Sequence, residues 1–336
     1  MLRGQNYATD LRNTEMTPKV YIDGHVGTTG LRIRDWMANR PDVELLEITE
    51  EHRKSDSARR EYLQAADLAV LCLPDDASRQ AAQWVAEGDT RLLDASTAHR
   101  VHEGWVYGLP ELSPAQRSAI GDARFVSNPG CYPSAFVLLV RPLVDAQLLP
   151  APSPIAVHAL SGYSGGGRSL IERWEDPTNG LGGLPFEAPY ALDKVHKHIP
   201  EMQKFSGLDA SPQFVPAVGP FRCGMRVQIP VHASILNGVG PKTLWEALEA
   251  RYRSEPFVRV MPYEPNGDAG ERALDPESCN DTNRIDLRVI GNPSGHALLV
   301  GILDNLGKGA SGVAIQNMNI MLGLGETTGL PATATP

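Results

Sequence analysis

Short apolar runs alternate with helical patterns in the first third of the chain. The apolar runs predict four strands, at 19–23 (KVYID), 43–48, 68–73 (LAVLCL) and 91–94. Between them, apolar residues recur at the spacing of an amphipathic helix, as at Ile33, Trp36 and Met37. Strands that alternate with helices predict right-handed crossovers and a parallel sheet.

The second half carries longer strands in which polar and apolar residues alternate. This alternation marks 225–233 (MRVQIPVHA) and 284–290 (RIDLRVI). A turn signal at 292–295 (NPSG) then predicts a hairpin with a return strand at 296–303. The pattern favours a largely antiparallel sheet, with helices near 243–253 and 311–322.

Composition and charge limit the kinds of partner that this protein is expected to bind. The 336 residues suggest about two domains. With 31 Lys and Arg against 40 Asp and Glu, the net charge of −9 argues against a nucleic-acid partner. No apolar run approaches the roughly 18 residues that a membrane helix needs, so we expect no membrane partner. Residues 1–16 lack the apolar core of a secretion signal and are interpreted as a flexible tail.

The four cysteines are scattered along the chain and indicate a reducing compartment, the cytoplasm. They lack the spacing of metal ligands, so we predict no metal site. They are Cys72, Cys131, Cys223 and Cys279. In such a compartment each thiol is either inert or reactive.

A glycine-rich loop follows the first predicted strand and precedes the first helix. The glycines of its G-x-x-G-x-x-G pattern permit a tight turn and close approach of the backbone to a pyrophosphate. The helix N-terminus offers free N–H groups to the same anion. This context favours dinucleotide binding over a simple glycine-rich turn. The predicted cofactor-binding residues are Gly24, Gly27, Thr28, Thr29 and Gly30.

The residues after the second predicted strand bear on the choice of dinucleotide. Thr49 lies where an acidic residue would bind the ribose of NAD, and Arg53 and Lys54 follow. Cations suit the 2′-phosphate of NADP, so Arg53 favours NADP(H). A solvated loop is the alternative interpretation.

Cys131 has the setting of a reactive thiol. It lies in 127–134 (SNPGCYPS), just before an apolar helical run, and Pro133 suits a first helical turn. A helix N-terminus is expected to lower the thiol pKa and to offer N–H groups to an oxyanion. Because a lower pKa also weakens the nucleophile, we expect positioning and the oxyanion site to supply most of the rate. The other three cysteines are interpreted as inert.

Two histidines and a second glycine-rich loop complete the candidate chemistry. His196 and His198 face opposite ways if the chain is extended there, so they form a poor metal pair. Either of them could act as a general acid and base, or belong to a polar segment before a helix. The loop 161–168 (SGYSGGGR) could bind a substrate anion through Arg168, or be a mobile loop.

In chain order these segments resemble the N-acetyl-gamma-glutamyl-phosphate reductases, and in particular their shorter subgroup. The resemblance covers about 17–325. The segments that carry it are 24–30 (GHVGTTG), 107–112 (YGLPEL), 127–133 (SNPGCYP), 196–201 (HKHIPE) and 307–312 (GKGASG) followed by 316–319 (QNMN).

This resemblance implies an α/β fold like that of glyceraldehyde-3-phosphate dehydrogenase and aspartate-semialdehyde dehydrogenase. A Rossmann-type parallel-sheet domain, 17–130 with 305–336, would bind NADP(H). An α+β domain with a mostly antiparallel sheet, 131–304, would carry catalysis and dimerisation.

The resemblance also implies an activity. It is the NADPH-dependent reduction of N-acetyl-L-glutamyl 5-phosphate to the 5-semialdehyde and phosphate, through a cysteine thioester, in arginine biosynthesis. The partner is then a small acyl phosphate, and the protein is a homo-oligomer, either a dimer or a tetramer.

The resemblance further implies roles for individual residues. Cys131 would be the nucleophile and His198 the acid and base, with His196 and Tyr190 nearby. Asn317 would meet the nicotinamide amide. The residues predicted to bind substrate or phosphate are Arg100, Ser161, Arg168 and Asn128. Which arginine binds the substrate α-carboxylate is left open by the sequence, and Arg168, Arg222 and Arg226 are all candidates.

Three alternatives remain open from the sequence. A sibling reductase would act on aspartyl phosphate or on an aminoadipate-type acyl phosphate. A cysteine hydrolase would use Cys131 and His198 without a nucleotide. A non-catalytic NADP sensor would keep the glycine loop and tolerate loss of Cys131.

Overall fold

Two β-sheets organise the chain in a computed structural model, which describes residues 17–236, 238–263 and 274–331. The flexible tail predicted for residues 1–16 lies outside the described residues. The strands of the first sheet lie within 19–127, and those of the second sheet lie within 156–303.

The first sheet is parallel throughout, as the alternating pattern predicts. Its six strands run in the order β2-β1-β3-β4-β6-β5, and each pairing is parallel. The strands are β1 (Lys19–Asp23), β2 (Glu44–Leu46), β3 (Leu68–Leu71), β4 (Arg91–Asp94), β5 (Val106–Tyr107) and β6 (Phe125–Ser127). The helices between them are α1 (Thr28–Met37), α2 (Asp56–Ala65), α3 (Asp75–Trp84) and α4 (Gln116–Asp122). All four residues of β3 are buried, which accounts for its apolar run.

The second sheet has seven strands in the order β11-β12-β13-β10-β7-β9-β8. They are β7 (Ala156–Gly162), β8 (Ala188–Pro189), β9 (Gln213–Gly219), β10 (Met225–Val231), β11 (Val258–Val260), β12 (Ile285–Gly291) and β13 (Ala297–Leu303). The pairs β7–β9 and β11–β12 are parallel, and the other pairs are antiparallel. The predicted hairpin is β12 and β13, so the expectation of a mostly antiparallel sheet is confirmed.

The helix α5 (Cys131–Asp145) joins the two sheets. It begins shortly after β6 of the first sheet and packs against β13 of the second. Gly301 permits this approach, because a Cβ added there would lie 3.0 Å from the Cβ of Ala135. Residues 132–140 of α5 are all buried, and each buried Leu or Val contributes about 1.5–3 kcal/mol. The helix is therefore a rigid support for its first residue, Cys131.

The remaining helices complete the second half. They are α6 (Gly167–Glu175), α7 (Ile199–Ser206), α8 (Pro241–Tyr252) and α9 (Gly312–Met321). A π-helical turn, Gly307–Ser311, leads into α9, which returns to the first sheet and packs on α4 and β4. Within the described ranges, no helix has the length and apolar character needed to cross a bilayer.

Candidate active site

Cys131 is the first residue of α5, as the sequence predicts, and Gly130 is the N-cap. The first four residues at a helix start have no helical partner for their backbone N–H groups. Here the N–H of Gly130 donates to Oε2 of Glu201 at 3.0 Å, and Pro133 has no N–H group. Ser134 begins the helical bonding by donating to the carbonyl of Gly130. The amides of Cys131 and Tyr132 are left at the thiol, where they can receive an oxyanion.

The environment of the thiol corrects one prediction. Burial raises the pKa of Cys131 to about 11, although the charge of Arg100 and the amide of Tyr132 both lower it. The predicted lowering of this pKa is wrong, because the loss of water around the sulfur outweighs the helix N-terminus. The resting thiol is therefore protonated near neutral pH.

A buried carboxylate, Glu201, holds the loop that precedes the thiol. Its Oε1 accepts from Nη1 of Arg100 at 2.7 Å, and its Oε2 accepts from the hydroxyl of Tyr107 at 3.0 Å and from the amide of Gly130. The sequence pattern gives Glu201 no role, although this residue ends the 196–201 segment. Nothing in a sequence pattern indicates that this carboxylate turns inward.

Arg100 and Asn128 also support this loop from behind. Nε of Arg100 donates to the carbonyl of Asn128 at 3.0 Å, and its Nη2 donates to Ala95 at 3.2 Å. Nδ2 of Asn128 donates to the carbonyl of Ala310 at 3.0 Å. Both side chains, which were expected at the substrate, are engaged by protein groups and lie outside the cavity described below.

The two histidines lie close together. The segment turns instead of extending, since the amide of Ile199 donates to the carbonyl of His196, and the ring centroids of His196 and His198 are 4.8 Å apart. His196 also lies 3.4 Å from the hydroxyl of Tyr190 and accepts from the amide of His198. No group of metal-binding side chains of sufficient size occurs among the described residues.

Burial keeps both imidazoles neutral. It lowers the pKa of His198 well below its ordinary value, with the charge of Arg100 acting in the same direction, and lowers that of His196 to about 4. His198 is the closer of the two to the thiol loop, because a Cβ added at Gly130 would lie 2.7 Å from its Nε2. The structure therefore has a neutral base and a protonated thiol on the wall of one cavity.

A cavity of about 410 Å³ brings five of the predicted residues together: Cys131, Ser161, Tyr190, His196 and His198. Arg173 and Lys197 line the same cavity, and neither is a predicted site residue. None of the described residues around it is an aspartate or a glutamate. The predicted Arg168 lies elsewhere, in a cavity of about 850 Å³ that it shares with Thr28.

A separate cavity of about 400 Å³ lies at the predicted nucleotide loop. Gly24, Gly27, Arg53 and Lys54 line it. Gly24 has a φ of +88°, and a Cβ there would lie 2.3 Å from the carbonyl oxygen of Cys72, so only glycine fits.

The first turn of α1 closes tightly on the glycine loop. A Cβ at Gly30 would lie 2.6 Å from the carbonyl oxygen of Gly24, and the carbonyl of Thr29 accepts from Ser311. The loop therefore has the close backbone approach that a dinucleotide needs, with cations beside it.

Asn317 lies buried on α9 and keeps one acceptor unused. Its Nδ2 donates to the carbonyl of Gly108 at 2.7 Å and to Oδ1 of Asn128 at 3.1 Å. Its Oδ1 is buried without a hydrogen-bond partner. An unpaired buried acceptor fits the N–H group of a carboxamide such as that of nicotinamide.

The chain resembles known proteins in both sequence and structure. A family model described as the NAD binding domain of semialdehyde dehydrogenase matches residues 19–120, and one described as its dimerisation domain matches residues 131–305. The structure resembles aspartate semialdehyde dehydrogenase II of Vibrio cholerae, with a TM-score of 0.70 at 16% identity over 91% of this chain and 98% of that one. It also resembles the enzyme of Francisella tularensis, with a TM-score of 0.69 at 14% identity over 91% of this chain and 100% of that one. These likenesses confirm the predicted fold.

Sequence relatives are closer. The chain is 47% identical to N-acetyl-gamma-glutamyl-phosphate reductase 2 of Nostoc sp., over 93% of this chain and 99% of that protein. It is also 47% identical to the enzyme of that name from Pseudomonas putida, over 91% of this chain and 97% of that protein. The chain belongs to the N-acetyl-gamma-glutamyl-phosphate reductase family, within the semialdehyde dehydrogenases.

Proposed function

We propose that this protein reduces N-acetyl-L-glutamyl 5-phosphate with NADPH to N-acetyl-L-glutamate 5-semialdehyde and phosphate, a step of arginine biosynthesis. The observation that carries the proposal is the position of Cys131. Its thiol lies at a helix start with two amides beside it, in one cavity with His198. A nucleophile, an oxyanion site and a base are the parts that acyl transfer needs.

The first step forms a thioester on Cys131. Neutral His198 takes the thiol proton as the sulfur attacks the acyl carbon, and the amides of Cys131 and Tyr132 hold the developing oxyanion. The bond between the acyl carbon and the phosphate oxygen breaks. The phosphate then leaves with the proton that His198 held.

The second step releases the aldehyde. NADPH, when bound, supplies a hydride to the thioester carbon. The same two amides hold the resulting hemithioacetal oxyanion, which collapses to the aldehyde as its bond to sulfur breaks. The Cys131 thiolate then takes up one proton, so that the overall reaction consumes one acyl phosphate, one NADPH and one proton.

The charges around the cavity favour an N-acylated substrate. A free amino acid phosphate such as aspartyl phosphate carries an ammonium group, and no described carboxylate lines the cavity to pair with it. N-acetylation removes that charge and leaves only anionic groups. Lys197, at the cavity wall, is suited to the leaving phosphate, while Arg100 acts on the loop and the thiol from behind.

NADP(H) is the cofactor that the nucleotide cavity favours. Arg53 and Lys54 line the cavity together with Gly24 and Gly27. Asp23, at the end of β1, is held by Arg59 with Nη2 to Oδ2 at 3.0 Å. Cations near the ribose suit a 2′-phosphate. The domain of 17–130 with 305–336 thus serves the cofactor, and 131–304 serves the substrate.

We also propose that the protein is a cytoplasmic homodimer. The four cysteines are free, which suits a reducing compartment. One face of the second sheet packs on α5 and α8. Residues of the opposite face, among them His158, Gln228 and Leu298, line a shallow cavity of about 290 Å³. A second copy of the chain would cover this face.

The reverse reaction tests the proposed function. N-acetyl-glutamate semialdehyde should reduce NADP only when phosphate is present, and Cys131→Ser should abolish this while retaining NADPH binding. Faster turnover with aspartate semialdehyde would instead identify a sibling reductase. Turnover by Cys131→Ser would exclude the thioester.

A further inference from the structure

Two cationic side chains, Arg173 and Lys197, line the cavity of Cys131, and no described acidic residue lines it with them. The proposed substrate has two anionic groups, a phosphate on the acyl carbon and a carboxylate at the other end of the carbon chain. The cavity therefore offers one cation for each anion.

Lys197 lies at the reacting end of this cavity. It stands between His196 and His198 in the chain, and its charge acts on both imidazoles and on the Cys131 thiol. The phosphate is attached to the carbon that the thiol attacks, so it must lie at this end as well. Arg173 is then left for the other anion.

Arg173 faces the cavity because of its place on α6. Leu170, Arg173 and Trp174 share the i, i+3, i+4 spacing of one helix face, and all three line the cavity. Arg168 and Glu172 lie on another face, exposed and paired with each other at 2.7 Å. Arg173 therefore reaches the cavity, and Arg168, on another face of the same helix, does not.

The arginines favoured from sequence are already engaged. Besides the Arg168 pair, Nη1 of Arg222 binds Glu175 at 2.7 Å, and Nη1 of Arg226 donates to the carbonyl of Leu274 at 2.8 Å. None of these three lines the Cys131 cavity. The side chain of Arg173 makes no hydrogen bond or ion pair in the described part of the chain, so its donors are available.

We propose that Arg173 binds the α-carboxylate of the substrate and so fixes which end of the molecule reaches Cys131. This inference rests on the proposed function. The apolar side chains beside it, Leu170, Trp174 and Leu181, then face the acetyl group. Arg173 is a binding and specificity residue, since the bonds that change lie at the other end of the substrate.

The test compares two aldehydes in the phosphate-dependent reduction of NADP. One is N-acetyl-glutamate semialdehyde, and the other is 4-acetamidobutanal, which is the same aldehyde without the carboxylate. Arg173→Leu should lower kcat/KM for the carboxylated aldehyde by about 10- to 100-fold, mainly through KM, because a charged hydrogen bond is lost. For 4-acetamidobutanal, kcat/KM should stay the same. Arg173→Lys should retain part of the preference.

A control variant and the wild-type protein show whether the effect is specific to Arg173. Arg168→Leu, on the same helix, should keep the full preference for the carboxylated aldehyde. An equal loss for both aldehydes in Arg173→Leu, or no loss for either, would overturn the role of Arg173 while wild-type turnover upheld the proposed function. A wild-type protein inactive with the carboxylated aldehyde would overturn both.

Discussion

Cys131 and His198 line one cavity as two uncharged groups. A thiol with a raised pKa and an imidazole with a lowered pKa do not exchange a proton in the resting protein. The thiol proton moves to His198 only when the acyl phosphate is bound and the sulfur attacks its acyl carbon. The amides of Cys131 and Tyr132, fixed by α5, supply stabilisation that needs no rearrangement at that moment.

The reactivity of Cys131 in the free protein should follow its raised pKa. At pH 7 a pKa of about 11 leaves about one thiol in 10⁴ ionised. Alkylation of Cys131 by iodoacetamide should therefore accelerate about tenfold per pH unit from pH 7 to 9. Peptide mass spectrometry separates Cys131 from the other three cysteines. A rate that levels off below pH 8 would indicate a thiolate–imidazolium pair instead.

Sequence reasoning singled out Cys131 but missed two residues near it, Glu201 and Arg173. Cys131 is recognisable because Pro133 and the apolar run mark a helix start. Glu201 meets Arg100, which lies 101 positions earlier, through a contact that only the fold creates. Arg173 had a usable signal, its spacing from Leu170 and Trp174, but the glycine-rich interpretation of 161–168 hid the helix that follows.

At the scale of elements, the prediction succeeded where hydrophobic periodicity is strong. The strands β1 and β4 have the predicted bounds, and β3 ends two residues early. The strand β9 escaped notice because Pro216 interrupts its pattern. The strands β5 and β8 have two residues each, too few for any periodicity.

The π-helical turn before α9 packs directly on Cys131. A Cβ added at Gly309 would lie 2.8 Å from the Cβ of Cys131, closer than carbon atoms can approach. Gly309→Ala should therefore displace the thiol and lower kcat at least about tenfold, since small misplacements at a reacting centre are costly.

The control for this prediction is Gly88→Ala, where the added Cβ meets only an ordinary contact at 3.8 Å. Steady-state kinetics of both variants, together with thermal melting, separate a local displacement from loss of the fold. Wild-type kcat in Gly309→Ala would show that this turn does not position Cys131.

At the scale of the molecule, Cys131 lies at the start of α5, the helix that joins the two sheets. The glycine loop follows β1 and the Cys131 loop follows β6, both at the carboxyl ends of parallel strands, where such sheets bind ligands. The cavity wall comes from α6 and the segment before α7. The sequence predicts the two loops, but it predicts neither α6 nor the distances between these parts.

In the proposed dimer, the face of the second sheet that carries Leu298 is buried between two copies of the chain, so a charge introduced there should be unfavourable. Leu298 lies on the side of the second sheet away from α5, beside Gln228. Leu298→Asp should convert the dimer to monomers, because a buried, unpaired carboxylate is strongly unfavourable. Val101→Asp, exposed on the first half, is the control. Sedimentation measures the outcome, and a Leu298→Asp variant that remains dimeric would place the interface elsewhere.

The central claim is that Cys131 takes the acyl group before any reduction occurs, and a single mixing experiment without NADPH tests it. Combining the protein with N-acetyl-glutamyl phosphate should release about one phosphate per chain in a burst and leave the acyl group on Cys131 by mass spectrometry. Cys131→Ser should give neither. No phosphate burst, or an acyl group found on another residue, would contradict the account.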